Sequence, residues 1–197
     1  FVTNHSSGKM GFSIAHEAAL RGAEVTLVAG RVQRPTPVGV SRVDGATTAE
    51  MLAAIEALMP KSDGLIMAAA PADYTPAEYH EEKIKKAGDE LVLAFRKNPD
   101  ILKTLKPILS DKIVVGFAAE SHQLLENAER KLKEKNLDFI VANNIAGKDT
   151  AFRSDYNAAT IIYKDGHQEV IPRQLKTELA DKILDEIQHI RCQKEER

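Results

Sequence analysis

Residues 4–29 read Asn4-His-Ser-Ser-Gly-Lys-Met-Gly-Phe-Ser-Ile-Ala-His-Glu-Ala-Ala-Leu-Arg-Gly-Ala-Glu-Val-Thr-Leu-Val-Ala29, and the fold class follows from them. A loop of small residues leads into apolar residues at helical spacing, and Gly22 follows where a helix would stop. The run Val25–Ala29 then predicts a buried strand. A helix followed at once by a short buried strand is typical of α/β proteins.

The same alternation continues along the chain. Thr47 or Thr48 can cap a helix that runs to about residue 59, and residues 64–70 predict a second apolar strand. Further on, residues 113–117 and 139–142 predict strands on either side of a helix over residues 121–135. This is a second βαβ unit.

Near the C-terminus, residues 159–163 and 169–171 flank Asp165-Gly166 and predict an antiparallel hairpin. We therefore expect an α/β, Rossmann-like, doubly wound fold. Its sheet should be mostly parallel, with helices on both faces and the hairpin at the edge. The length of 197 residues and the absence of a linker predict a single domain over residues 1–197.

Composition excludes several functions. Lys and Arg total 27 against 29 Asp and Glu, so the chain has no basic excess that favours a nucleic-acid or membrane partner. Its apolar runs fall short of the roughly 20 residues that a membrane helix needs. Cys192 is the only cysteine, so an internal disulfide is impossible, and we expect a cytoplasmic protein.

The opening segment is a candidate anion site. Ser6, Ser7 and Gly8 precede the first predicted helix, where backbone NH groups and the helix dipole favour a phosphate. The alternative is that Ser6 or Ser7 only caps the helix while the glycines allow close packing. Spacing alone does not choose between a phosphate cradle and a simple cap.

Two later segments could carry chemistry. Ala68-Ala-Ala-Pro-Ala-Asp-Tyr74 leaves a strand with small side chains, so a flat ligand could approach its backbone beside Asp73, although a surface turn explains it equally well. Lys83-Ile-Lys-Lys86 suits a triphosphate, although short basic runs are usually only solvated.

Two helices offer further candidates. Asn98-Pro-Asp-Ile-Leu102 has the signature of a helix start, with Asn98 as N-cap and Pro99 as first helical residue. On the helix after Phe117, Lys131 and Lys135 share a face from which Lys133 points away. This pair could hold phosphates or ribose, or it could be an ordinary solvated face.

Taken in order, these segments closely resemble bacterial phosphopantothenoylcysteine synthetase over nearly the whole chain. The match rests on the segments quoted above together with three more. These are Val115-Gly-Phe-Ala-Ala-Glu120, Ala142-Asn-Asn144 and Ser154-Asp-Tyr-Asn157.

The resemblance implies a ligase that joins 4'-phosphopantothenate to cysteine in coenzyme A biosynthesis. CTP would react with the carboxylate to give an acyl-cytidylate and pyrophosphate, and the amine of cysteine would then displace CMP. Lys83 matches a catalytic lysine, and Asn4 matches the asparagine tied to turnover of the acyl-nucleotide. Mg²⁺ should assist the first step; its ligands stay unassigned.

Residue-by-residue matching also implies a nucleotide pocket, and Ala70 beside the pantothenoyl arm. The pocket residues are Met67, Ala68, Ala69, Asp73, Lys83, Pro99, Asp100, Ile101, Leu102, Phe117, Lys131 and Lys135. The family forms homodimers in which the segment around Lys83 packs near the neighbouring subunit.

The chain also departs from the family pattern. The strand and Gly-rich loop that precede this segment in the family, with an upstream arginine, have no counterpart here, so the domain is expected to lack its N-terminal strand, either because this chain is incomplete or because the sheet is opened. Many bacterial relatives carry a fused flavin-dependent decarboxylase. We expect no flavin in this domain.

Two rival functions remain from the residues alone. An NADP-dependent short-chain-type reductase would use the Gly-rich helix start, and Arg31 after the next strand could meet a 2'-phosphate. Tyr79 and Lys83 even form Y-x-x-x-K, but so short a motif arises easily by chance. The other rival is a non-catalytic nucleotide-binding module, which the joint presence of Asn4 and Lys83 disfavours.

Overall fold

The computed structural model describes residues 6–78, 82, 91–120, 124–144 and 154–196, without the side chains of residues 120 and 144. Helices and strands alternate along most of the chain. Their order is α1 (Lys9–Leu20), β1 (Val25–Ala29), β2 (Val40–Asp44), α2 (Thr48–Leu58), β3 (Gly64–Met67), β4 (Tyr74–Pro76), β5 (Phe95–Lys97), α3 (Ile101–Leu105), β6 (Ile113–Glu120), α4 (Leu124–Lys135), β7 (Phe139–Asn144), β8 (Tyr156–Tyr163), β9 (Gln168–Leu175) and α5 (Lys176–Glu195).

The main sheet has five strands in the order β3-β6-β7-β8-β9. Strands β3, β6 and β7 are parallel, and β8 is antiparallel to both of its neighbours. Four of the five strands therefore run in one direction, and β8–β9 forms the predicted antiparallel hairpin at the edge. The predicted α/β class is confirmed.

Two small sheets accompany the main one. Strands β1 and β2 pair in parallel, and β4 pairs with β5 in antiparallel orientation. Among the described residues, no ladder joins β1 to β3, although both strands line the same cleft. Strands β2, β4 and β5 were not predicted from the sequence, and β3 ends at Met67, three residues before the predicted end at Ala70. That the sheet lacks a strand stays a prediction.

Helices cover both faces of the main sheet, as predicted. Helices α1 and α5 pack on one face through buried residues that include Ile14, Leu179 and Ile183. Helices α2, α3 and α4 pack on the other face through Ile55, Leu105, Leu132 and their neighbours. Apolar side chains alternate between these two clusters along β6 and β7, as period-2 geometry requires.

Two helix starts tested the capping predictions. Thr47 caps α2, and a reciprocal bond between Glu50 and the Thr47 amide completes a capping box. The prediction that Asn98 caps the next helix was wrong. Asp100 caps α3, which begins at Ile101, so Pro99 stands before the cap and outside the helix.

Candidate active site

An open cleft of about 2260 Å³ runs along the full length of β1 and β3, and at the carboxyl end of the strands it is bordered by β6 and the first turns of α1 and α3. Ligands of open α/β sheets bind at this end of the strands. Every described residue that the sequence analysis assigned to the site lines this cleft: Ser6, Ser7, Gly8, Met67, Ala68, Ala69, Ala70, Asp73, Pro99, Asp100, Ile101, Leu102, Phe117, Lys131 and Lys135. Asn4 and Lys83 lie outside the described residues. The binding roles of all of them stay predictions.

Small side chains bring α1 close to the end of β3. A Cβ atom built on Gly11 would stand 3.7 Å from the Ala68 Cβ, which is ordinary van der Waals contact. Met67 is buried in the core beneath this point. The backbone of residues 68–70 is therefore left at the cleft wall without bulky side chains above it, as a flat ligand requires.

Asn98 fixes the loop that carries Asp73. Its amide Nδ2 donates to the Ala72 carbonyl at 2.8 Å and to the Thr48 hydroxyl at 3.2 Å. Its backbone NH donates to the Asp73 carbonyl at 2.8 Å. One side chain thus ties the loop after β3 to the starts of α2 and α3.

The start of α3 carries an ion pair that joins it to α4. Asp100 accepts from the Lys103 amide at 3.2 Å and pairs with the Lys135 ammonium at 2.8 Å. Burial tends to raise the pKa of Asp100, but the hydrogen bond from Lys135, with the cap, outweighs it and holds the pKa below its usual value. Asp100 is therefore ionised at neutral pH.

Buried side chains limit what α3 can offer a ligand. Ile101 and Leu102 are both buried in the core, so they can reach a ligand only through their backbone. On α4, Lys131 and Lys135 both line the cleft and Lys133 does not, as the helical spacing predicted.

The first turn of α1 follows Gly8, whose φ of 72° lies in the left-handed region that favours glycine. The Ser6 and Ser7 hydroxyls face the amides of Gly8 and Lys9, but at 3.5 Å, the long limit of a hydrogen bond. Neither serine is the N-cap, so the simple capping alternative is not what the structure shows.

Several polar side chains that line the cleft were not predicted from the sequence. Asn143 Oδ1 and Asn157 Nδ2 are buried without hydrogen-bond partners, and both residues line the cleft. Lys176 lines it as well. Asn143 and Asn157 lie in two of the segments on which the resemblance rests. The sequence cannot show that their side-chain amides lack hydrogen-bond partners, because that depends on the folded structure.

Groups of three or more His, Cys, Asp or Glu residues that could hold a metal ion are absent from the described part of the chain. None of the helices formed by these residues has the length and apolar content needed to cross a bilayer.

The model of the DNA/pantothenate metabolism flavoprotein C-terminal domain family matches residues 1–190. The chain belongs to this family. It is 46% identical over 191 residues to the coenzyme A biosynthesis bifunctional protein CoaBC of Escherichia coli K12, covering 95% of this chain and 47% of that protein. The CoaBC protein of Bacillus subtilis is 38% identical over 198 residues, covering 100% and 49%.

Solved structures of the family share the fold. A crystal structure of the C-terminal domain of a CoaBC protein superposes with a TM-score of 0.82 at 36% identity, covering 96% of this chain and 86% of that one. A pantothenate metabolism flavoprotein from Streptococcus pneumoniae gives 0.81 at 24% identity, covering 96% and 91%, which supports the fold alone. The chain spans about half the length of the curated relatives it matches.

Proposed function

We propose that this chain is a ligase domain of coenzyme A biosynthesis that joins 4'-phosphopantothenate to cysteine at the expense of CTP. The observation that carries the proposal is that Asn98 ties the loop of Asp73 to the starts of α2 and α3, where Asp100 pairs with Lys135 of α4, in a chain that belongs to this family. Relatives named for coenzyme A biosynthesis support it, and so does the structural likeness to a CoaBC C-terminal domain.

The first half-reaction would join the substrate carboxylate to the α-phosphate of CTP and release pyrophosphate. Two anions must approach each other, so the cleft has to supply positive charge where negative charge accumulates. Lys83 is proposed to supply it at the reacting phosphate. Lys131 and Lys135 line the cleft and would hold the nucleotide.

Magnesium would neutralise the phosphates and polarise the reacting phosphoryl group. It takes oxygen ligands and usually reaches such sites on the nucleotide with few protein ligands. The described residues fit this mode. Asn143 Oδ1 is a buried oxygen without a partner in the cleft, and Asp73 adds a carboxylate at the wall.

The second half-reaction would transfer the acyl group to the amine of cysteine and release CMP. Asn4 precedes α1 and would orient the acyl carbonyl for attack, a positioning role that gains rate through geometry. Asn4 stands two residues before Ser6, which lines the cleft.

A homodimer is part of the proposal. An apolar patch on β4–β5 and the residues before β5 is exposed in the single chain, and patches of this kind usually mark an interface. Its members are Tyr74, Leu91, Val92, Leu93 and Phe95. In the chain, residues 91–95 follow the segment around Lys83, which the family packs against the neighbouring subunit.

The proposal extends to the whole protein. Because the chain spans about half of its relatives, whose name describes a bifunctional protein, we propose that a flavin-dependent decarboxylase accompanies it, with no flavin in this domain.

Two variants test the division of roles. Lys83→Gln should block pyrophosphate release from CTP and 4'-phosphopantothenate, whereas Asn4→Ala should retain that release without cysteine and slow amide formation about 100-fold. Release is measured by a coupled assay with and without cysteine. Asn4→Ala enzyme that releases no pyrophosphate, with or without cysteine, would overturn the assignment.

Two outcomes would favour the rivals. NADPH oxidation by the folded chain would support the reductase, and CTP binding without turnover would support the non-catalytic module. Competition between CTP and ATP identifies the preferred nucleotide. The sequence does not identify it, because backbone contacts to the base do not depend on which side chains are present.

A further inference from the structure

Two buried side-chain amides in the cleft have unsatisfied hydrogen-bonding atoms. Asn157 on β8 is 2% exposed, and its Nδ2 donates to none of the described residues. Asn143 on β7 has a buried Oδ1 that accepts from none of them. Both residues line the cleft. A buried donor or acceptor left unsatisfied costs free energy that native structures normally avoid, so these two atoms point to a ligand.

The register of the sheet brings the two amides together. Asn143 lies opposite Ala159, and Asn157 lies two residues before Ala159 on the same strand. Side chains two residues apart on a strand share a face, so both asparagines lie on the face where Val141 and Ala159 pack under α1 and α5. Diagonal neighbours of this kind are about 7–8 Å apart, so one small group can contact both amides.

The neighbours of Asn143 leave its amide open to the cleft. Ala119 on β6 and Ala159 on β8 stand in register with it, and each has only a methyl side chain. Ala119 and Phe117, two residues apart on β6, line the cleft on the same face. An apolar floor with a few polar groups that fix orientation is typical of a small-molecule site.

We propose that Asn143 and Asn157 bind a secondary amide of the ligand. Asn143 Oδ1 accepts from the ligand N–H, and Asn157 Nδ2 donates to the ligand carbonyl. A planar trans amide presents these two groups on opposite sides, so it fits between the two side chains. The Asn143 oxygen has two lone pairs, so this bond leaves one for the Mg²⁺ role proposed above.

The identity of the ligand rests on the proposed function. CTP and cysteine contain no secondary amide, whereas 4'-phosphopantothenate contains one between its phosphate end and its reacting carboxylate. Burying that amide is unfavourable unless both its N–H and its carbonyl are paired. Holding it in place would also position the carboxylate at the end of the same short arm. Asn143 and Asn157 are therefore specificity-determining residues for the acyl substrate.

An analogue of 4'-phosphopantothenate with an ester in place of the amide tests the pairing, because it lacks only the N–H donor. Calorimetric titration measures the Kd of both compounds for the wild-type chain, Asn143→Ala, Asn157→Ala and the control Gln174→Ala. Gln174 pairs with Asn157 across β8 and β9 but lies outside the cleft lining. Thermal unfolding without ligand checks that each variant folds.

The wild type should bind the ester about tenfold more weakly than the amide, because the Asn143 oxygen then faces an oxygen that cannot donate. In Asn143→Ala this difference should fall below about threefold. In Asn157→Ala the difference should persist, while both compounds bind about tenfold more weakly than to the wild type. Gln174→Ala should bind both compounds like the wild type.

Equal affinity of the wild type for ester and amide would overturn the proposal, and this comparison needs no variant to fold. A folded Asn143→Ala chain that discriminates like the wild type would overturn it as well, as would equal weakening by Gln174→Ala. The expected pattern in a chain that forms no acyl-cytidylate would refute the proposed function and leave the amide site standing. Turnover without the pattern would do the reverse.

Discussion

At the scale of single residues, Asp100 holds two neighbours at once. Its carboxylate caps α3 and binds Lys135, which aims the lysine along the cleft towards the start of α3. A charge-assisted bond from this ammonium to a nucleotide would contribute about 1.5–3 kcal/mol. The position of Lys135 is thus set before any ligand arrives.

Lys135→Met should therefore raise KM for CTP about tenfold and leave the fold intact. Lys133→Met is the matched control, since Lys133 lies on the same helix, is exposed and does not line the cleft. Its KM should change less than twofold. Steady-state kinetics at saturating 4'-phosphopantothenate and cysteine measure both, and equal effects of the two substitutions would contradict the assignment.

The positions of the lysines on α4 could be predicted in part from the sequence. The spacing of Lys131 and Lys135 fixes a shared helix face, whatever the rest of the fold does. The pairing of Lys135 with Asp100 depends on how α4 packs beside α3, and periodicity carries no such information.

At the scale of secondary-structure elements, Asn98 holds the loop after β3 against the start of α2. It was predicted to cap α3, and both Asn98 and Asp100 are good capping residues. Its bonds to Thr48 and Ala72 draw Asn98 away from the helix, so Asp100 becomes the cap. Local sequence could not choose between them because these two partners come from other elements.

Asn98→Ala should lower the free energy of unfolding by about 1–3 kcal/mol, because the Ala72 carbonyl and the Thr48 hydroxyl lose their donor. The freed loop should also bind CTP more weakly. Thr104→Ala, on the exposed side of α3, should change stability by no more than about 0.5 kcal/mol. Urea denaturation measures the stability of both variants, and equal midpoints would show that the hydrogen bonds of Asn98 are not needed for stability.

Strand β2 shows where element prediction failed. Val40–Asp44 is short, mixes polar with apolar residues and pairs only with β1 among the described strands. Long buried strands such as β6 and β7 were predicted correctly because both of their faces must be apolar. A half-exposed two-stranded sheet imposes no such pattern.

At the scale of the whole molecule, the apolar patch around β5 predicts self-association. Val92 is 89% exposed in the single chain, which leaves a large apolar side chain in water. Val92→Glu should shift the protein from dimer to monomer and reduce activity, because the family packs the segment around Lys83, which precedes this patch in the chain, against the neighbouring subunit. Light scattering after size-exclusion chromatography measures the mass.

Val38→Glu is the control for that substitution. Val38 is 92% exposed but lies in the loop before β2, away from the patch. It should remain dimeric. Monomeric wild-type protein at assay concentration, or equal dissociation by both substitutions, would contradict the proposed dimer surface.

The central claim is that this cleft activates a carboxylate with CTP and passes the acyl group to cysteine. The most direct measurement incubates the folded chain with CTP, Mg²⁺, 4'-phosphopantothenate and cysteine and quantifies products by mass spectrometry. We expect one CMP and one pyrophosphate for each 4'-phosphopantothenoylcysteine formed. Folded, CTP-binding protein that forms no amide under these conditions would contradict it.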